Sequence, residues 1–127
     1  MSEFAETILV VEDDDALRRL IEQVLVFDGF KVVSASHGAE ALRILNTMTP
    51  ALVVLDLVLP WVNGLEVLAT IRATPRLSAI PVVVVTGTPI MERDLGDTGP
   101  LRLLRKPVNL EALTPTIQEL LARSSWR

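Results

Sequence analysis

The chain has 127 residues, half of them hydrophobic, and its 12 basic and 16 acidic side chains leave a net charge of −4. That is one domain's worth of chain, large enough to bury a core without a metal or disulfide staple and too apolar to stay disordered. The absence of cysteine and the single histidine, His37, exclude disulfides, thiolate sites and multi-histidine metal sites, and the acidic balance speaks against direct nucleic-acid binding.

Met1 to Thr7 carries two glutamates and no basic residue, so it does not read as a signal peptide. No apolar run approaches the ~20 residues a bilayer span needs, so no membrane contact is expected. A cytoplasmic location is the expectation that follows.

Ile8 to Val11 is the first of five short apolar runs. The others are Lys31 to Ala35, Ala51 to Leu55, Val82 to Val85 and Leu101 to Leu104. They are rich in valine and mostly lack polar alternation, as strands covered on both faces do. Arg102 interrupts the fifth and places it nearer an edge.

Amphipathic stretches lie between the runs. Leu17, Leu20, Ile21, Val24 and Leu25 mark one helical face, opened by a cap at Asp14 or Asp15 and closed at Gly29. Ala41, Leu42, Leu45 and Met48 mark a second helix, which stops before Pro50. Leu65, Leu68 and Ile71 mark a third between Gly64 and Pro75, and Leu110, Leu113, Ile117, Leu120 and Leu121 the last, capped by Asn109. Pro89 to Pro100, with Gly96 and Gly99 and few apolar residues, predicts at most a short, poorly anchored helix. The alternation predicts a single α/β domain over residues 1–127, core about 6–123, with a five-stranded parallel sheet and right-handed crossovers.

In such a sheet chemistry gathers beyond the carboxyl ends of the strands. There the chain places Glu12, Asp13, Asp14 and Asp15 after the first run, Asp56 after the third, Thr86 and Gly87 after the fourth, and Arg105, Lys106 and Pro107 after the fifth. Clustered carboxylates repel unless a cation intervenes. Mg²⁺ suits a few hard oxygen ligands, and a carboxylate beside it can attack phosphorus. Lys106 and the Thr86 hydroxyl would hold the incoming oxygens.

These residues, Glu12-Asp13-Asp14, Leu55-Asp56-Leu57 with Leu59-Pro60 and Asn63-Gly64, Val85-Thr86-Gly87 and Lys106-Pro107, resemble the receiver domain of two-component response regulators, including the single-domain chemotaxis type. The resemblance spans nearly the whole chain. It implies a flavodoxin-like doubly wound sheet of order 2-1-3-4-5, with the fourth helix here short or irregular. It implies that Asp56 is the phospho-acceptor and that Mg²⁺ is held by Asp13, Glu12, Asp56 and the backbone carbonyl of Val58. Thr86 and Lys106 would contact the phosphoryl group, Gly87 and Thr88 would line its site, and Pro107 would follow a cis bond. The donor would be a histidine kinase or phosphotransfer protein. The chain would then be a stand-alone phosphorelay switch without an output domain, not an enzyme beyond self-phosphorylation and slow self-dephosphorylation, acting on an unknown downstream protein.

Two departures stand out. The position of the usual switch aromatic, three before the lysine, is Leu103, and the chain has no tyrosine. The stretch from Thr86 to Lys106 is also tighter than the resemblance implies. Signalling through order and disorder of Pro89–Pro100, rather than an aromatic flip, is the resulting expectation. Val58 cannot orient an attacking water, which predicts a long-lived phosphoryl group.

Alternatives remain beside this reading. Asp13-Asp14-Asp15 formally fits the Asp-x-Asp of a haloacid-dehalogenase-like phosphatase with Asp13 as nucleophile, and a pseudo-receiver would keep the fold without taking phosphate. Asp14 and Asp15 also read as plain helix caps, His37 as a polar loop residue before Gly38, and Trp61 as a loop residue exposed for a partner or packed locally. The helical leucines and methionines read as core.

Overall fold

The computed structural model describes residues 6–96 and 99–124. The first five residues, part of the stretch read above as lacking a signal peptide, lie outside it, as do Asp97 and Thr98 of the Pro89–Pro100 segment. Five strands, β1 (Thr7–Val11), β2 (Lys31–Ala35), β3 (Leu52–Asp56), β4 (Val82–Thr86) and β5 (Leu101–Arg105), form one parallel sheet in the order β2-β1-β3-β4-β5. This is the expected doubly wound order. The three central strands are buried almost throughout, whereas the edge strands β2 and β5 are half exposed.

Alternation along the strands sends side chains to two faces. Leu9, Val11, Val53, Leu55, Val82 and Val84 pack on one face with helices α2 (Gly38–Thr47) and α3 (Gly64–Ala73). Ile8, Val10, Leu52, Val54, Val83 and Val85 pack on the other with α1 (Asp15–Phe27) and α4 (Leu110–Ser124). No helix among the described residues is long and apolar enough to cross a membrane.

Local chemistry explains where the helices start. The Asp14 carboxylate accepts from the Leu17 amide at 3.0 Å and caps α1, so the cap is Asp14 rather than Asp15. Asn63 and Glu66 form a reciprocal capping box on α3, and the Asn109 side chain accepts from the Glu111 amide at 3.0 Å. His37 is more than a polar loop residue: its Nδ1 accepts from the Glu40 amide at 3.2 Å and caps α2. Gly29, at φ +98°, turns the chain out of α1.

Two apolar residues assigned to the core do not lie there. Leu20 is 47% exposed, because it sits about 100° around the helix from Ile21 and falls off the buried stripe. Leu65 is equally exposed; Gly64, Val67, Leu68 and Ile71 form the inward stripe of α3 instead. Between β4 and β5 a single 3₁₀ turn, Glu92–Leu95, replaces a regular helix, as the glycine and proline content predicts.

Close approach fixes the glycine beside the end of β3. A Cβ at Gly64 would stand 2.2 Å from the Asp56 carbonyl oxygen and 2.5 Å from the Leu57 Cα, both main-chain atoms. A Cβ at Gly87 would meet only the Lys106 Cβ, at 3.9 Å. Gly64→Ala should therefore lower stability in urea unfolding by about 1–3 kcal/mol, whereas Gly87→Ala should stay within about 0.5 kcal/mol of the parent chain.

Candidate functional site

The sheet register builds the site. Val11 pairs with Leu55, Asp56 with Val85 and Thr86 with Arg105. The residues that close β1, β3, β4 and β5 therefore meet at one edge: Glu12, Asp56, Thr86 and Lys106.

Glu12, Asp13 and Asp56 each place a carboxylate oxygen within 4.8 Å of the others. Glu12 is 1% and Asp56 3% exposed, whereas Asp13 faces solvent. Two carboxylates at this separation repel by about 3 kcal/mol at an effective dielectric of about 20, several times thermal energy. Lys106 offsets part of this. Its Nζ lies 3.0 Å from Asp56 Oδ2 and 3.1 Å from Glu12 Oε1, and it donates to Glu12 Oε2 at 3.3 Å. Glu12 Oε1 is thus ion-paired, yet it accepts no well-aligned hydrogen bond. A buried anionic oxygen in that state, among three carboxylates, fits a hard divalent cation.

The titration behaviour follows. Burial pushes the Glu12 carboxyl above its ordinary value, opposed by the hydrogen bond from the Asp14 amide; the charge of Asp56 adds to the rise and Lys106 subtracts from it. For Lys106, burial alone would depress the ammonium. The hydrogen bonds and charges of Asp56 and Glu12 outweigh it and hold the group above its ordinary value.

Asp56 Oδ1 accepts from the Val58 amide at 3.0 Å, which anchors the carboxylate, and the Val58 side chain stands 63% exposed beside it. The fully buried Thr86 hydroxyl accepts from the Thr88 amide at 3.1 Å and has no acceptor for its own proton among the described residues. Open space over Gly87 adjoins it. Lys106–Pro107 is a cis peptide bond. Leu103 packs half-buried against the α2–α3 core. The exposed Trp61, at φ +65°, meets His37 edge-on at 5.4 Å between ring centroids, so it both packs locally and faces solvent.

Three residues about the site carried no role in the sequence reading. Arg18 donates to the Glu12 carbonyl at 2.9 Å and steadies the acidic loop. The Arg105 guanidinium donates to the Thr88 carbonyl at 2.6 Å and to the Ile90 carbonyl. Glu92 Oε2 accepts from the Leu103 amide at 2.8 Å. Arg105 and Glu92 thus hold the first half of the loop between β4 and β5 through polar contacts, while its 3₁₀ turn buries no residue. Strand alternation offered one hint, since Lys106 facing the site sends Arg105 the other way.

The family model of the response regulator receiver domain matches residues 8–118. Response regulator MprA of Mycobacterium sp. (strain KMS) is 39% identical over 120 residues, covering 93% of this chain and 51% of that protein. MprA of Mycobacterium leprae (strain TN) is 38% identical over 119 residues, again with 51% of its length covered. The chain thus spans about half the length of these curated relatives. Among solved structures, the receiver domain of the Francisella response regulator 1452 superposes with a TM-score of 0.85 at 24% identity, covering 94% of this chain and 99% of that one. Chemotaxis response regulator CheY4 of Vibrio cholerae gives 0.81 at 26% identity, with 91% and 98% covered.

The raised Lys106 sets a sign for alkaline stability. Its ion pairs stabilise the fold fully below about pH 10.5, and this contribution is lost as pH rises through the higher folded-state value. Lys31 is the only other lysine, and there is no tyrosine or cysteine to titrate alongside. In chelator-treated protein, Lys106→Met should cost about 2 kcal/mol near neutral pH, less than breaking a fully buried pair because the ammonium is partly solvated. It should also flatten the alkaline loss of stability, as followed by urea unfolding across pH.

Proposed function

The chain belongs to the response regulator receiver domain family, and from that membership we propose that Asp56 is its phospho-acceptor, served by a histidine kinase or a phosphotransfer protein as donor. The observation that carries this is the environment of Asp56: a 3% exposed carboxylate at the end of a central strand, 3.0 Å from Lys106 and beside the oxygens of Glu12 and Asp13.

A carboxylate oxygen of Asp56 attacks the donor's phosphorus. A new O–P bond forms, the donor's P–N bond breaks, and its electron pair returns to the leaving imidazole. Charge on the equatorial oxygens of the transferring group must be met by donors already in place. Lys106 is positioned to pass from a counter-ion of Asp56 to a partner of the phosphoryl group. The Thr86 hydroxyl, with its proton uncommitted, is a donor aimed at the same edge, and Gly87 leaves the space.

Glu12, Asp13, Asp56 and the Val58 carbonyl would hold Mg²⁺. Bound there, the ion would neutralise the carboxylates and the phosphoryl oxygens together. A cytoplasmic setting belongs to the same reading.

The phosphatase alternative needs Asp13 as nucleophile. Asp13 is solvent-facing and Asp56 buried, which favours Asp56, and the family match favours a receiver. The intact set of Asp56, Thr86 and Lys106 favours phosphate acceptance over a pseudo-receiver.

Incubation with acetyl phosphate and Mg²⁺, followed by intact-mass measurement, should add one phosphoryl group to the parent chain and none to Asp56→Asn. Undiminished labelling of Asp56→Asn, or a label mapped to Asp13, would overturn the assignment. Val58→Asn introduces a side chain able to orient water beside Asp56 and should shorten the lifetime of the phosphorylated form several-fold. An unchanged lifetime would show that water positioning at residue 58 does not limit the step.

A further inference from the structure

Position 103 holds leucine, and a chain of polar contacts runs from beside Asp56 to the surface. Thr88 is held from both sides. Its amide donates to the Thr86 hydroxyl at 3.1 Å, inside the site. Its carbonyl accepts from the Arg105 guanidinium at 2.6 Å, outside it. Arg105 also takes the Ile90 carbonyl, two residues on. It pairs with Thr86 across the β4–β5 register and directly precedes Lys106, whose amide donates to the Thr86 carbonyl at 3.0 Å.

A second fastener lies close by. Glu92, opening the 3₁₀ turn, accepts from the amide of Leu103, the position where the aromatic is missing. β5 is an edge strand, so no neighbouring strand supplies an acceptor there. Between Thr88 and Leu95 the loop otherwise holds on weakly. Met91 is 49% exposed, no residue of the 3₁₀ turn is buried, and only Ile90 and Leu95 pack against the core. Few apolar contacts and solvent-facing polar anchors mark a segment of low local stability.

We propose that Arg105 and Glu92 form a two-point latch that replaces the aromatic switch: a phosphoryl group on Asp56 draws Thr86 inward, Thr88 follows, Arg105 loses its carbonyl partners and residues 88–95 are released from β5. This rests on Asp56 as the phosphoryl-bearing residue. The constraint is geometric. The Thr88 amide is tied to Thr86 and its carbonyl to Arg105, so a shift of Thr88 toward the site strains the Arg105 contact. The surface thereby uncovered is the outer edge of β5, with the Leu103 amide unpaired. Both anchors are exchanges of charged side chains with main-chain groups at the surface, so a modest push suffices to open them.

Hydrogen exchange of the full chain, with and without beryllofluoride and Mg²⁺, tests this, with ¹⁹F NMR reporting whether the mimic is bound. A bound ¹⁹F signal, absent in Asp56→Asn, with several-fold faster exchange at residues 88–95 and at the Leu103 amide is the expected result. Arg105→Gln should show that fast exchange without the mimic and little further change with it, while still giving the bound signal. A bound signal with unchanged exchange at those amides overturns the latch and leaves the Asp56 assignment standing. So does Arg105→Gln exchanging like the parent chain. No bound signal at all overturns the Asp56 assignment and the latch with it.

Discussion

Charge repulsion at one end of the sheet is the constraint from which the rest follows. Glu12 and Asp56 are buried carboxylates a few ångströms apart, with Asp13 beside them. In water such groups would separate. Here the strands that carry them pair in register, so neither can retreat without breaking a ladder through the core. Among the described residues, Lys106 is the one cation set between Glu12 and Asp56. The site thus calls for more positive charge than Lys106 alone supplies, and its hard carboxylate oxygens fit a divalent cation.

The bulk acidity of the chain is therefore local in meaning. Glu12 to Asp15 alone carry as many charges as the net value of −4. These four differ in task. Glu12 is buried against Lys106, Asp13 faces the cluster from solvent, Asp14 caps α1 and Asp15 pairs with Arg18 at 2.6 Å. Arg18 in turn holds the Glu12 carbonyl, so the loop that presents the acids is braced by the helix it opens.

Backbone economy on the other side of Asp56 serves the same end. The Val58 amide fixes one carboxylate oxygen, the Gly64 amide donates to the Leu57 carbonyl at 2.9 Å, and the absent side chain of Gly64 lets α3 close on the Asp56 carbonyl. Rigidity is concentrated there, while the region between β4 and β5 is attached by Arg105 and Glu92 through polar contacts at the surface. A stiffly held carboxylate beside a weakly held segment is an arrangement in which a local charge event can produce a displacement elsewhere.

Much of this was legible in the sequence because it depends on short-range patterning. Unbroken apolar runs marked the buried parallel strands, the strand-end rule collected Glu12, Asp13, Asp56, Thr86 and Lys106, and the glycines and prolines between Pro89 and Pro100 foretold the missing helix. What pattern cannot carry is relation across the sheet. Whether Leu65 or Val67 faced the core depended on the rotation of α3 on the sheet. Whether Asp14 or Asp15 capped α1 depended on where the chain left β1. The partners of Arg105 and Glu92 are carbonyls and an amide brought close by the β4–β5 register, and main-chain groups have no signature in the one-letter code. Residue identity determined which chemistry the chain could perform; only the tertiary structure decided which groups stand close enough to act on one another, because burial and electrostatic interaction depend on distance through space and not on separation along the chain.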